Sequence, residues 1–479
     1  MLDILQILTI VLVIILTLLL YAALGPKQKS IVFSKTERPE WNKFVNSSLG
    51  KWFTMANVIG TLTSLATAYL FFIGSSKLFG WVIFICGFAL WGGSYVTNYF
   101  TRKIIRIPHI KSLIEDSSNT FGVIASIFWQ KGNKNSIHNA KIIKYISILN
   151  IIGVIWLEFS LFSDILSYVF KVDNIYVKTA IVLLSAFTII YFTIKYGLRG
   201  FVFADFFHSP LILLSVIVLL IGSVIFIFNS GIVIEPSIIL KPILGIKEIF
   251  LFSMHVIFLN AFLVFVTEGH WLRLWVFNDN ETKVQTKSIV STAIIWALLS
   301  AIGLLTFSQI NSVGTEAVSS LILKLGDISY LFPIAFWIGA TAALFSTADT
   351  QVYSLLLVNS WNPKSGQLSN KLTKNIKALP IAILASLTFA IAYFIVRFFN
   401  IPFEKIIFII IPMCLNLLPA FVRLIKNYSP KPWLVLVSLF IYSCFAVYGF
   451  IKPESEMSMT LAASMVPLFF SLLALIIKK

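Results

Sequence analysis

The stretch Gly339–Ser354 reads GATAALFSTADTQVYS and lies inside an apolar run, about residues 330–358, that is long enough to cross a lipid bilayer. Five polar side chains fall within six positions of this run: Ser346, Thr347, Asp349, Thr350 and Gln351. Polar groups at membrane depth are costly unless something binds them, so this cluster indicates a functional site. Adjacent hydroxyls among small residues suit a hard cation held by neutral oxygens.

A structural explanation of the same cluster also exists. A single Ser or Thr in a spanning helix often bonds back to the carbonyl four residues earlier. The cluster S-T-x-D-T is harder to explain in this way, because Ser346 shares one helix face with Asp349 and Thr350. We therefore expect a bound ion here, with Asp349 and Thr350 the less certain members.

Composition identifies a polytopic helical membrane protein. Of 479 residues, 58% are hydrophobic and only 12% are charged, about half the charged share of a soluble domain. The three cysteines, Cys86, Cys414 and Cys444, lie in separate apolar runs without zinc-ligand spacing. We expect them to be free, buried thiols.

Thirteen apolar segments are predicted, and the basic residues distribute unevenly between their two ends. If the N-terminus lies outside, 28 of the 37 Lys and Arg residues fall on the inner side. This asymmetry accounts for the net charge of +17 without a nucleic-acid partner. We expect the cytoplasmic membrane of a bacterium, with the C-terminus inside and the first segment retained as a spanning helix. The segments are 4–24, 52–74, 79–99, 143–167, 176–195, 204–229, 249–269, 288–308, 329–358, 379–398, 404–424, 432–451 and 458–477.

The second segment carries a polar interruption. It contains Gly60, Thr61, Thr63, Ser64 and Thr67. Irregular backbone at membrane depth is tolerated where it lines a cavity, and paired interrupted segments mark a mid-membrane site. A straight helix with small residues for close packing is an equally good explanation. The seventh segment has no internal Gly or Pro, so the pairing is only half supported.

The loop after the seventh segment opens with HWLRLWVF. Trp271, Arg273 and Trp275 predict a helix lying at the level of the lipid headgroups. Glu268 and His270, which precede it, are expected to be solvated.

Several of these features occur together in one known family. The sixth segment begins KYGLRGFVFADFFHSP, with Gly197 and Asp205 in the family's positions and Tyr196, Ala204 and His208 replacing its Gly, Thr and Gln. Arg273 stands where the family has an Arg in a short inner loop, and the ninth segment carries the Ser-Thr pair with a following Asp. With thirteen segments and an outside N-terminus, the chain resembles the sodium/solute symporter family.

The resemblance implies an all-α fold of the leucine-transporter type. It would be one membrane domain over residues 1–479, with a five-plus-five inverted-repeat core at 52–424. An extra helix at 4–24 would precede this core, and extra helices over 432–477 would follow it.

The resemblance also implies a sodium site. Its ligands would be the backbone carbonyls of Ser64, Thr67 and Ala343 and the hydroxyls of Ser346 and Thr347. Asp205 would lie on the inner ion-release route, with Asp349 nearby. Alternatively, Asp205 is a partner of Arg199.

The solute pocket departs from well-known family members. Leu70 and Phe71 occupy positions that contact sugars, and Ala66 stands where proline carriers have an acidic residue, so we expect neither glucose-like nor proline-type recognition. His255 and Asn260 are further candidates for this pocket.

The fourth segment carries two carboxylates, Glu158 and Asp164. Glu158 lies near the middle of the segment and is predicted to bind a substrate amine, to carry a proton, or to make a structural hydrogen bond to His255 or another helix. Asp164 is expected to approach the outer interface and to be solvated.

The sequence thus predicts a secondary active symporter that imports a small organic solute with co-transported sodium. A transporter-like solute sensor and a proton-coupled carrier using Glu158 or Asp205 are the alternatives. The chain shows no cluster of His and carboxylates, nucleophile elbow or metal-ligand spacing, so an enzyme is not expected. The expected partners are the solute, sodium and the lipid bilayer.

Overall fold

The structure is a computed structural model and describes residues 2–24, 37–115, 122–130, 133–230, 243–277, 282–306, 310, 312–368, 377–399, 401, 403–429, 431–452 and 462–477. These residues are almost entirely helical. Two-residue strands, β1 at Trp361–Asn362 and β2 at Gln367–Leu368, pair antiparallel at one end of the bundle.

The helices follow one another in this order: α1 Leu2–Leu24, α2 Glu37–Val45, α3 Ser48–Leu62, α4 Ser76–Phe79, α5 Ile85–Ile105, α6 Pro108–Glu115, α7 Ile124–Ile127, α8 Lys134–Val169, α9 Ile175–Ser230, α10 Ile246–Val266, α11 Glu268–Phe277, α12 Lys283–Thr306, α13 Gly314–Ile328, α14 Leu331–Ser360, α15 Ala378–Phe398, α16 Phe403–Ile410, α17 Leu418–Ile425, α18 Pro432–Ile451 and α19 Met465–Ile476. A π-helix spans Leu65–Ile73, and 3₁₀ turns span Gly80–Phe84 and Ile411–Leu417.

Eleven helical spans among the described residues are long and apolar enough to cross a membrane. They match eleven of the predicted segments. The second predicted segment is a broken helix, and the last contains the twelve-residue α19. A multi-pass membrane protein is therefore supported, but the count of thirteen spanning helices is not confirmed.

The helix α9 contains two of these spans, Ile175–Leu198 and Gly200–Asn229. The helix kinks at Gly197, near the end of the first span, where the φ of 61° lies in the region that favours glycine. The turn places Asp205 on the second span.

Two predicted segments contain a break, and the break in the second segment is of the kind that a mid-membrane site requires. The first helix, α3, ends at Leu62, and the chain resumes helical structure at Leu65. The second, α10, ends before Thr267, which is extended (φ −91°, ψ 141°), and α11 begins at Glu268. The seventh segment therefore does have an interruption, at its inner end, although no Gly or Pro produces it.

The helix α14, which carries the polar cluster, occupies the centre of the bundle. Of its most apolar 18-residue window, 83% is buried, against 28% for α1 and for α15. It packs against α9, α8, α3 and α1. A polar side chain on α14 therefore meets protein on almost every side.

The prediction of a headgroup-level helix after the seventh segment is wrong. This stretch is α11, in which Trp271, Arg273 and Trp275 are 0%, 3% and 5% exposed. Trp271 stacks on Phe421 of α17 at an interplanar angle of 8°. The aromatic residues that indicated an interface instead fill a packed protein interior.

The predicted solvation of Glu268 and His270 is wrong for the same reason. Both are buried, and each has a partner from a neighbouring segment. Glu268 Oε2 accepts a hydrogen bond from Ile124 N at 2.9 Å, and His270 Nε2 lies 2.9 Å from Thr101 Oγ1.

Two smaller expectations also need correction. Asp164 is not solvated, because it is 8% exposed, accepts a hydrogen bond from Tyr393 Oη at 2.7 Å and pairs with Arg397. All three cysteines are free, but Cys444 is exposed instead of buried.

Candidate functional site

The helices α3 and α14 approach very closely just before the break in α3. A Cβ atom added to Gly60 would lie 2.2 Å from Ser346 Oγ. Only glycine permits this separation, so Gly60 is what allows the polar cluster of α14 to reach the backbone of α3.

The hydroxyls of α14 point towards this crossing. Thr347 Oγ1 donates a hydrogen bond to Thr61 O at 3.3 Å, and Thr350 Oγ1 lies 3.2 Å from Thr61 Oγ1. Ser346 Oγ is fully buried and has no hydrogen-bond partner among the described residues. A buried hydroxyl without a partner is costly, which marks this position for a ligand.

The predicted sodium ligands come together in part. Ser64 and Thr347 line one cavity of about 80 Å³, which also reaches Arg273 and Gln351. Ala343 is completely buried. The side chains of Thr67 and Ala66 lie outside the described part of the structure.

Glu158 stabilises the break in α3. Its Oε2 accepts a hydrogen bond from Leu65 N at 3.0 Å, and its side chain is 1% exposed. Leu65 begins the second helical piece, where a backbone N–H has no partner within its own helix. Of the predicted roles, a structural hydrogen bond to another helix is observed, and the partner is this backbone amide.

A second cavity, of about 50 Å³, lies beside the first and has mainly apolar walls. The predicted pocket residues Phe71, His255 and Asn260 all line it, whereas Leu70 is buried elsewhere. His255 is oriented by a hydrogen bond between its Nδ1 and Ser464 Oγ. None of the described residues that line this cavity is Lys, Arg, Asp or Glu.

Trp296 of α12 separates the two cavities. It lines both of them, together with Leu263 and Ile411. Its Nε1 donates a hydrogen bond to Leu62 O at 3.1 Å, the last residue of α3 before the break, and its ring packs on Phe72. One side chain therefore contacts the helix break and both cavities.

A buried acidic cluster lies next to Ser346, between α9 and α14. Asp205, His208 and Asp349 each place one ligand atom within 4.8 Å of the others. Asn57 Nδ2 donates to Asp205 Oδ2, and Arg273 Nε donates to Asn57 Oδ1 at 2.9 Å. The two carboxylates predicted on the ion route are thus neighbours in the fold, and the expectation that the chain has no cluster of His and carboxylates is wrong.

The sequence interpretation missed the contribution of α1 to this cluster. Tyr21 Oη donates to Asp349 Oδ2, and Thr17 Oγ1 lies 3.0 Å from His208 Nε2. The helix also provides Gln6 Oε1, which accepts from Trp337 Nε1 at 2.7 Å. The sequence did carry a signal that α1 packs against protein, because polar residues in an otherwise apolar helix are costly if that helix faces only lipid.

Burial also shifts the titration of the groups on α11, beyond the end of the span Ile246–Val266. The apolar surroundings raise the pKa of Glu268 to about 7 and lower the pKa of His270 to about 3. The lowered pKa of His270 keeps its imidazole neutral near pH 7.

No protein-family model matches this sequence, and no curated protein matches it. Among solved structures, a Na⁺-coupled sialic acid symporter in a substrate-bound, outward-open state covers 98% of each chain with a TM-score of 0.65, at 14% sequence identity. MhsT in complex with L-phenylalanine gives a TM-score of 0.48 at 14% identity and covers 90% of this chain and 98% of the other. A mutant manganese transporter from Eremococcus coleocola gives 0.49 at 10% identity, with 94% and 97% covered.

The comparison with the sialic acid symporter confirms the predicted all-α transporter fold of the leucine-transporter type. Its match extends over nearly the whole of both chains. At 14% identity, this likeness establishes a shared fold.

Proposed function

We propose that this protein is a sodium-coupled symporter that carries a small organic solute across the membrane by alternating access. The observation that carries the proposal is the position of Ser346 and Thr347, two buried hydroxyls on α14 that face the end of α3. The transporter fold supplies the context in which such a site drives transport.

The sodium ion would be held between α14 and the broken helix. Ser346 Oγ, Thr347 Oγ1 and the carbonyls of Ala343, Ser64 and Thr67 form the proposed ligand set. The contact between Thr347 and Thr61 O supports a location at the end of α3. Five neutral oxygens suit a hard cation of single charge.

The solute would occupy the apolar cavity that Phe71, His255 and Asn260 line. Because its described walls carry no charged side chain, we propose an uncharged, partly apolar solute that hydrogen-bonds to His255 or Asn260. An anionic sugar acid such as sialic acid would find no Lys or Arg partner among these residues. The small volume indicates a compact solute.

Trp296 would couple the two sites. Sodium holds α14 against the end of α3, and Leu62 O holds Trp296 in the wall of the solute cavity. Solute therefore binds better when the ion is present, and each ligand raises the affinity for the other. One charge that crosses 100 mV releases about 2.3 kcal/mol, which supports roughly fifty-fold accumulation of solute.

A thermal-shift screen tests the proposal. The purified protein is heated with candidate solutes in sodium buffer and in potassium buffer of equal ionic strength. A ligand of the folded state raises the melting temperature by mass action, so we expect a solute whose shift appears only with sodium. A shift that follows pH and ignores sodium would favour the proton-coupled carrier, and solute binding without flux in proteoliposomes would favour the sensor.

A further inference from the structure

The buried cluster of Asp205, His208 and Asp349 has the arrangement of a metal centre. All three side chains are 0% exposed. In each of them one polar atom has a hydrogen-bond partner, and the other polar atom has none among the described residues. The atoms without a hydrogen bond are Asp205 Oδ1, His208 Nδ1 and Asp349 Oδ1, and the first two of them face each other as an ion pair.

The polar atoms of the cluster that do have a hydrogen-bond partner are held by neighbouring side chains. Asn57 holds Asp205 Oδ2, Tyr21 holds Asp349 Oδ2, and Thr17 holds His208 Nε2. Metal-binding His and carboxylate groups are oriented in this way, by hydrogen bonds from a second layer of residues to the atom that does not bind the metal. The cluster therefore has both a set of free donor atoms and the support that such donors need.

The spacing of Asp205 and His208 also fits a metal site. Asp205 and His208 are three residues apart on one helix, as are the carboxylate and His ligands of metal sites in helical bundles. Asp205 Oδ1 lies 3.7 Å from His208 Nδ1. Metal–ligand bonds of about 2.1 Å in a tetrahedral site place neighbouring donors about 3.4 Å apart, so the pair needs little movement.

We propose that Asp205 Oδ1, His208 Nδ1 and Asp349 Oδ1 bind a divalent first-row transition-metal cation that joins the second span of α9 to α14. The nitrogen donor decides the class of ion, because imidazole ligates zinc, iron and their neighbours, whereas sodium and magnesium prefer oxygen donors. Two carboxylates supply the charge that balances a divalent ion, and Arg273 stands one residue further away, behind Asn57.

The site is separate from the proposed sodium site but adjacent to it. Ser346, a proposed sodium ligand, also lies close to Asp205. Two cations on opposite sides of one side chain repel each other. Sodium is therefore expected to weaken divalent binding several-fold, and the divalent site itself is best measured in potassium buffer, where its presence does not depend on the sodium proposal.

The test uses the tag-free, full-length protein, stripped of metal with EDTA and titrated with Co²⁺ in potassium buffer. We expect one equivalent of bound cobalt, detected by its visible absorption and by metal analysis. His208→Gln and Asp349→Asn remove a ligand and should each weaken binding by at least about tenfold. Tyr21→Phe leaves every ligand in place and should weaken binding by about tenfold, through the loss of orientation of Asp349.

His138→Gln is the matched control, because this imidazole is exposed and outside the cluster. It should bind cobalt like the unchanged protein. In the unchanged protein, pulsed electron paramagnetic resonance of bound Mn²⁺ should show coupling to an imidazole nitrogen, a result that requires no variant to fold.

The proposal is overturned if cobalt does not bind, if His208→Gln binds it as well as the unchanged protein, or if only His138→Gln loses it. It is also overturned if only sodium stabilises the protein and Asp349→Asn removes that effect, since the cluster would then be a site for monovalent ions.

Discussion

Glu158 and Leu65 are joined by a hydrogen bond of 3.0 Å between the carboxylate Oε2 and the backbone N–H. The residues belong to different helices, and the bond satisfies the first amide after the break in α3. The deeply buried carboxylate that the sequence shows in the fourth segment thus has a structural reason to be there. The bond gives Glu158 a structural role, which can be tested against a role in proton transfer.

Replacement of Glu158 tests this role directly. In Glu158→Gln the amide oxygen still accepts from Leu65 N, so we expect transport and stability close to those of the unchanged protein. Glu158→Leu leaves a buried amide without an acceptor, which costs about 1–3 kcal/mol. Thermal melts and uptake measure both variants. If Glu158→Gln abolished transport while the protein stayed folded, Glu158 would be a proton or substrate site.

Gly60 should not tolerate a side chain. In Gly60→Ala the new Cβ would lie 2.2 Å from Ser346 Oγ, so α3 and α14 must separate. We expect a loss of about 1–3 kcal/mol in stability and a weaker thermal shift with sodium. Gly92→Ala is the control, because no atom lies within 4 Å of its added Cβ and alanine favours the helix. Equal effects of the two substitutions would contradict the close approach.

Trp296→Phe tests the coupling of the two cavities. The substitution keeps an aromatic ring beside Phe72 but removes the hydrogen bond to Leu62 O. We expect sodium still to stabilise the protein, while the gain in solute affinity on adding sodium falls several-fold. Solute titrations at several sodium concentrations measure this gain. An unchanged gain would show that coupling does not pass through Trp296.

Glu268 should make stability depend on pH. Its folded pKa of about 7 exceeds its ordinary value of 4.5. The folded chain therefore holds a proton that the unfolded chain releases, and stability should fall as pH rises from about 4.5 to about 7, by up to about 3 kcal/mol. Glu268→Gln should reduce this fall and keep the bond to Ile124 N. Identical pH profiles for the two proteins would contradict the assignment.

The fold was largely predictable because membrane-spanning helices can be recognised in a sequence by their apolar composition and their length. The cluster at Ser346–Thr350 also pointed to the centre of the bundle, since no lipid-facing helix would carry it. The position of Thr267 was different. Its break depends on packing between α10, α11 and their neighbours, and a Thr gives no local signal of a chain break.

The misjudged residues of α11 share one physical cause. Trp271 and Arg273 suit a membrane interface and a protein interior equally well, because each combines an apolar body with a polar end. Tertiary contacts decide between these environments, and those contacts join residues far apart in sequence, such as Trp271 with Phe421. The role of Tyr21 could not be predicted for the same reason, because its partner Asp349 is 328 positions away in the sequence.

The most direct test of the sodium site is uptake into proteoliposomes driven by a sodium gradient, measured with the solute that the thermal-shift screen identifies. The double variant Ser346→Ala/Thr347→Ala should lose sodium-dependent uptake at least about a hundred-fold. Ser354→Ala is the control, because this hydroxyl lies on the same helix and bonds back to Thr350 O at 2.9 Å. It should transport normally. Full sodium-dependent uptake by the folded double variant would contradict the proposed site.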